Sequence, residues 1–152
     1  MFGKPYAEYI RYQMPFLAAT AVVGLLRLGL SIAGQPNSAV QFASITAVGF
    51  ASFAYYGAMV RRHGFGTYRH LLPLVFNQGL IANAIAVLGI VLSVYGMPNI
   101  YDAPEFRGPF ATAQTTPLQH ALAHIFGGTT AGALVGWAFA SIVMALFGRP
   151  RK

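Results

Sequence analysis

The sequence contains no cysteine. Disulfides, thiolate metal sites and cysteine nucleophiles are therefore excluded, and with them the thiol redox enzymes. Acidic residues are also scarce, because Glu8, Asp102 and Glu105 are the only three in 152 residues. None of the three lies within an apolar run, so these runs hold no obvious set of nucleophile, base and orienting group. An enzyme is the function class that these absences favour least.

Charged residues make up only 9% of the chain, well below the roughly 25% that is usual in soluble domains. Hydrophobic residues make up 56%, and they are concentrated in four long runs. This composition excludes a soluble monomer. It predicts a single integral membrane domain that occupies residues 1–152.

Each apolar run is close to the ~20 residues that a helix needs to cross about 30 Å of hydrocarbon. We predict four spanning helices, at residues 14–33, 38–60, 71–95 and 117–147. A long outer loop occupies residues 96–116 between the third and the fourth. Thr116, Pro117 and Gln119 form a capping-box pattern at the start of the last helix. The predicted fold class is therefore all-α, an integral membrane bundle of four transmembrane helices.

Ten lysine and arginine residues outnumber three acidic ones, which gives a formal net charge of +7. The densest basic group lies between the second and third predicted helices, at Arg61, Arg62, His63, Arg69 and His70. The positive-inside rule places this loop and both termini in the cytoplasm and loop 96–116 on the outer side. Because the basic residues form no stripe with interleaved aromatics, we expect the lipid bilayer as the partner and no nucleic acid. We expect a bacterial inner membrane as the location.

Glycine repeats every four residues on the fourth predicted helix, at Gly128, Gly132 and Gly136. Small residues at this spacing let two helix backbones approach closely in a membrane. The repeat has two interpretations. It either closes the monomeric bundle, or it forms an interface with a second copy or with a helix of a larger membrane complex.

Arg27 is the one lysine, arginine or acidic residue within a predicted span. An arginine near the bilayer centre costs about 2.5–3.5 kcal/mol on insertion scales, although its long side chain can reach toward the interface. Arg27 either snorkels to the outer surface or binds a partner, such as an anionic ligand, a lipid phosphate, Asp102 or Glu105. The second interpretation makes it the first candidate for a binding site.

Uncharged polar side chains also occur within the predicted spans, notably Gln41 on the second helix and Gln78 and Asn83 on the third. Hydrogen bonds between helices, worth about 0.6 kcal/mol each on average, are one use for them. The other use is functional. Together with Arg27, these three side chains are the candidates for binding a polar or anionic solute.

His120 and His124 are one helical turn apart, so both side chains can face one metal ion, a haem group or one polar group. A zinc site normally needs three or four ligands, and Asp102 and Glu105 are the further candidates nearby. Hydrogen bonding at the membrane interface is the alternative use of the pair.

These patterns support one leading hypothesis and two alternatives. The leading one is a non-catalytic membrane protein that associates through its glycine and alanine faces, as a homo-oligomer or as an accessory subunit of a membrane complex. The first alternative is a small channel or carrier for an anionic or polar solute, which uses Arg27 with His120 and Gln41. The second is metal or haem binding at His120 and His124.

Overall fold

The computed structural model describes residues 1–103, 112 and 114–148. The described residues form helices and connecting turns, without a strand. The helices are α1 (Tyr6–Ile32), α2 (Asn37–Val40), α3 (Ile45–Met59), α4 (Tyr68–Val94), α5 (Pro117–Leu122) and α6 (Thr129–Phe147). A π-helical segment, Ala123–Gly128, joins α5 to α6 without a break.

The all-helical fold class is confirmed. Four helical stretches of the described chain are long and apolar enough to cross a membrane: Tyr6–Ile32, Asn37–Met59, Tyr68–Val94 and Pro117–Phe147. Large apolar side chains are exposed along all four of them, as expected of helices that face lipid. The first and second of these stretches differ most from the helices predicted above, the first in its start and the second in its continuity.

The first helix begins at Tyr6 rather than at residue 14. Pro5 precedes its first turn in an extended conformation, which suits a residue without a backbone N–H to donate. Lys4 and Glu8 form an ion pair of 2.8 Å across the first turn. The aromatic and polar lead-in is therefore part of the helix, because this local start signal lies before the apolar run.

The second predicted helix, 38–60, is interrupted. The short α2 ends at Val40, and the chain leaves the helical path until Ser44, whose side chain accepts a hydrogen bond of 3.1 Å from the backbone N–H of Ala47. Serine competes for backbone N–H groups in this way and starts a new helix. Helix α2 begins at Asn37, directly after Pro36, one residue before the predicted start.

The fourth span begins with the predicted cap. The Thr116 side chain accepts from the backbone N–H of Gln119, and the Gln119 side chain accepts from the backbone N–H of Thr116. The π-helical segment that follows was not predicted.

Helix α4 is the central element, since it packs against α1, α3, α5, the π-helical segment and α6. In the apolar stretch of α4, 44% of the residues are buried. In the apolar stretches of the other three spans, 17 to 22% of the residues are buried. We call the end of the bundle where α4 ends and α5 begins the loop end. The opposite end, where residues 60–67 join α3 to α4, is the basic end.

The apolar core lies toward the basic end. Its fully buried members come from α1, α3, α4 and α6 and the turn after α3: Tyr9, Tyr56, Val60, Leu71, Leu74, Val75, Ala140 and Met144. The half of the bundle toward the loop end instead holds several polar side chains. The candidate site residues are therefore found mostly outside the main apolar core.

Candidate functional site

A pair of histidines lies in the half of the bundle toward the loop end. His120 on α5 and His124 on the π-helical segment have ring centroids 5.0 Å apart, with the ring planes inclined by 48°. His120 is almost fully buried, with 3% of its surface exposed, and His124 is half-buried. The two rings are therefore direct neighbours.

Asn83 on α4 fixes the orientation of His124. The Asn83 amide nitrogen donates to the carbonyl oxygen of Gly79 at 2.9 Å, so its Oδ1 faces His124 Nδ1 at 3.0 Å. A neutral amide oxygen only accepts, so Nδ1 must carry the proton and donate. Gly128 makes this contact possible, because a Cβ there would lie 2.6 Å from Asn83 Oδ1.

His120 has an acidic neighbour. Its Nδ1 lies 3.5 Å from Asp102 Oδ1, and Asp102 Oδ2 accepts a hydrogen bond of 2.9 Å from the Ser93 hydroxyl group. Neither ring nitrogen of His120 makes a hydrogen bond within the described part of the chain. A buried ring in this state is uncommon, since buried polar groups nearly always have a partner.

The histidine pair was also predicted as a metal or haem site. Among residues 1–103, 112 and 114–148, no group of three or more histidine, aspartate and glutamate side chains is arranged to hold a metal ion. Glu105, one of the two further ligand candidates, lies outside the described residues. Metal or haem binding at His120 and His124 stays a prediction.

Arg27 lies near the loop end of α1. Its Nη2 donates to Asn37 Oδ1 at 3.1 Å, while its Nε is buried and makes no hydrogen bond to any described residue. Within the described ranges no carboxylate forms a salt bridge with Arg27. Asp102, predicted as one possible partner, faces His120 and Ser93 as described above.

Tyr101 follows Ile100, whose backbone N–H donates to Ser31, one helical turn after Arg27 on α1. Burial raises the pKa of the Tyr101 phenol, and the positive charge of Arg27 opposes this by lowering it. The phenol oxygen is buried and makes no hydrogen bond to the described residues. No periodic pattern marks this residue in the sequence, because it lies in the loop and not on a helix.

Gln41 and Gln78 make their side-chain hydrogen bonds to residues other than Arg27. Gln41 is exposed in the break between α2 and α3, where its side chain donates to the Ser38 carbonyl oxygen at 3.1 Å. Gln78 is buried, donates to the Phe16 carbonyl oxygen and the Thr20 hydroxyl group, and lies 3.4 Å from the Tyr56 hydroxyl group. These contacts show Gln78 acting as an interhelical hydrogen-bonding residue.

A ligand site shared by Arg27, Gln41, Gln78 and Asn83 stays a prediction, since each of the four side chains bonds to other residues. Gln78 and Asn83 are five residues apart on α4, a spacing that turns two helical side chains to different faces. Gln78 consequently faces α1 and α3, while Asn83 faces the π-helical segment.

The glycine repeat is divided between two environments. A Cβ at Gly136 would lie 2.5 Å from Val75 and 2.7 Å from Phe53, so this glycine packs within the bundle, as Gly128 does. A Cβ at Gly132 would have no neighbour within 4 Å, and the residue is exposed. Gly127 is equally open.

Comparison with known proteins does not place this chain in a family. No protein-family model, no curated protein and no solved structure matches this chain.

Proposed function

We propose that this protein is a small non-catalytic membrane protein that associates through the open glycine and alanine surface of its fourth span, as a homo-oligomer or as an accessory subunit of a membrane complex. The observation that supports this proposal is the exposure of Gly132 and Gly127. Ala131 and Ala138 are exposed on the same span. The bundle itself buries other small residues of α6, namely Ala133, Gly136 and Ala140.

Association through such a surface has a physical basis. Lipid tails are as apolar as leucine side chains, so helices in a bilayer associate mainly through close packing and hydrogen bonds. Exposed glycine and alanine allow a second helix to approach closely, whereas large side chains would keep it away. The small residues that remain outside the bundle therefore favour a partner helix.

The proposed setting is a bacterial inner membrane, with both termini and the basic end in the cytoplasm. The N-terminal residues lie at the basic end, where the Phe2 carbonyl oxygen is 3.1 Å from His70 Nε2. Arg61, Arg62 and Arg69 are exposed at this same end. The positive-inside rule supports this orientation. Accessibility of single introduced cysteines to a membrane-impermeant reagent tests it in intact cells.

Native mass spectrometry of gently extracted protein tests the association. We expect wild type to show a dimer, a higher oligomer or a complex with another membrane protein, and Gly132→Leu to shift the population to the monomer. Gly29→Leu is the matched control, because Gly29 is also exposed on a spanning helix with no neighbour for a Cβ. A monomeric wild type in both detergent and lipid nanodiscs would refute the proposal.

A small channel or carrier for an anionic or polar solute is the second candidate. The half-burial of Arg27, without a salt bridge to any described carboxylate, favours it. Charged residues within spans commonly mark substrate or ion pathways. Anion flux into proteoliposomes tests this candidate: flux that persists unchanged in Arg27→Leu rules it out, and Arg61→Leu at the basic end is the control.

A further inference from the structure

We propose that Arg27 and Tyr101 form a binding site for a phosphate group at the loop end of the bundle, with Asn37 holding the arginine in position. This inference names the ligand chemistry of the second candidate function and does not depend on the proposed association. The phosphate group has two possible sources, a phospholipid headgroup and free inorganic phosphate. Both present the same oxygen acceptors to the site.

The Arg27 guanidinium group forms no salt bridge with any described carboxylate. A charged side chain that is partly removed from water needs a counter-charge or hydrogen-bond acceptors. Asn37 Oδ1 accepts from Nη2, but the buried Nε has no acceptor among residues 1–103, 112 and 114–148. Arginine presents its N–H donors as a planar fork that matches the oxygens of a phosphate group. The oxygens of a phosphate group therefore fit this donor.

Tyr101 supplies a second donor. Since burial raises the pKa of its phenol, the hydroxyl group stays protonated at neutral pH and can donate. It has no acceptor within the described part of the chain. The backbone N–H of its neighbour Ile100 donates to Ser31, which lies one helical turn after Arg27 on the same face of α1. A phosphate group offers enough oxygens for both Arg27 and Tyr101.

The loop that contains Tyr101 is held against the helices. The backbone N–H of Ile100 donates to the Ser31 hydroxyl group on α1 at 2.8 Å, and the Asn99 side chain donates to the Gly89 carbonyl oxygen on α4 at 2.7 Å. Gly89 also leaves room for the tyrosine ring, since a Cβ there would lie 2.8 Å from it. Tyr101 is therefore a positioned donor and not a free surface side chain.

The depth of the site suits a headgroup phosphate. Arg27 lies five residues before Ile32, the end of α1, which corresponds to about 7.5 Å along a helix. The long arginine side chain spans much of such a distance toward the membrane surface. Basic pockets between spanning helices are known to bind anionic lipid headgroups.

The test uses the full chain in two arms. In the first arm, native mass spectrometry measures retained phospholipid after extraction; in the second, delipidated protein is titrated with inorganic phosphate and followed by ³¹P NMR. We expect binding in at least one arm, reduced about tenfold or more in Arg27→Leu and in Tyr101→Phe, because each variant removes a hydrogen bond to a charged group. Arg62→Leu, exposed at the basic end, should bind as wild type does.

The outcomes separate the two sources and the two proposals. Binding in the lipid arm alone identifies a headgroup site, and binding of inorganic phosphate alone identifies a solute site. Phosphate binding without anion flux supports this inference and rules out the carrier. The inference fails if neither phosphate source binds wild type, or if Tyr101→Phe and Arg27→Leu both bind as wild type does. Tyr101→Phe keeps the ring that packs on Gly89, so it remains informative if Arg27→Leu does not fold.

Discussion

Substitution of two glycines of one repeat should have opposite consequences for the stability of the bundle. Gly136→Ala introduces a Cβ at 2.5 Å from Val75 and 2.7 Å from Phe53, whereas Gly132→Ala introduces one into open space. Distances below about 3 Å between carbon atoms require the neighbours to move, because the optimal separation is about 3.5–4.0 Å. Val75 belongs to the fully buried core and has little room to yield.

The comparison of the two variants isolates this overlap. Both substitutions remove a glycine from the interior of α6, so the gain in helix propensity, up to about 1 kcal/mol, is common to both and cancels. Overpacking a filled core costs about 1–3 kcal/mol. Gly136→Ala should therefore be less stable than Gly132→Ala by about 1–3 kcal/mol, and Gly132→Ala should equal or exceed wild type.

Reversible unfolding in mixed micelles with an increasing fraction of a denaturing detergent measures these differences. The measurement should be made at a protein concentration where all three proteins are monomeric, so that association through Gly132 does not contribute. Equal stability of the two variants would show that α6 does not pack on α3 and α4 as described.

Two further predictions concern buried polar groups. Gln78→Leu should lower the free energy of unfolding by about 1–2 kcal/mol in the same assay, because Thr20 loses its amide partner and Tyr56 loses a polar neighbour. An unchanged free energy of unfolding would mean that these contacts are absent in the micelle. Arg27→Leu should raise the pKa of Tyr101 further, since the charge that lowers it is removed, and phenolate absorbance compared with Tyr101→Phe measures this. Because the pKa of Tyr101 is raised on folding, its contribution to stability should be complete below about pH 10 and be lost as the pH rises toward the folded pKa.

The sequence predicted the four apolar spans because hydrocarbon thickness sets their length and composition. It also predicted the Thr116 cap, since a capping box is a local pattern that needs no tertiary partner. The break at Gln41–Ser44 was missed because the residues around it remain apolar on average, and hydropathy does not distinguish a continuous helix from two short ones. The start at Tyr6 was missed for the opposite reason, as its first turns are polar and aromatic.

The geometry of the candidate site was harder to predict from the sequence than the spans, because it depends on tertiary contacts. One-turn spacing was enough to place His120 beside His124, but nothing in that spacing indicated that Asn83 would fix the His124 ring. The π-helical segment changes which residues of the fourth span face α4, so the glycine repeat could not be assigned to one surface from period alone. Tyr101 was not predicted as a site residue, since loop position leaves no periodic pattern to interpret.

The interruption of the second span has a consequence for the surrounding lipid. Helix α3 contains 15 residues and is therefore about 22 Å long, which is shorter than the roughly 30 Å hydrocarbon layer of an average bilayer. Neighbouring lipids can accommodate such hydrophobic mismatch by thinning locally around the short helix. In the proposed membrane setting, lipids beside α3 therefore meet a shorter continuous helix than lipids beside α1 or α4, which contain 27 residues each.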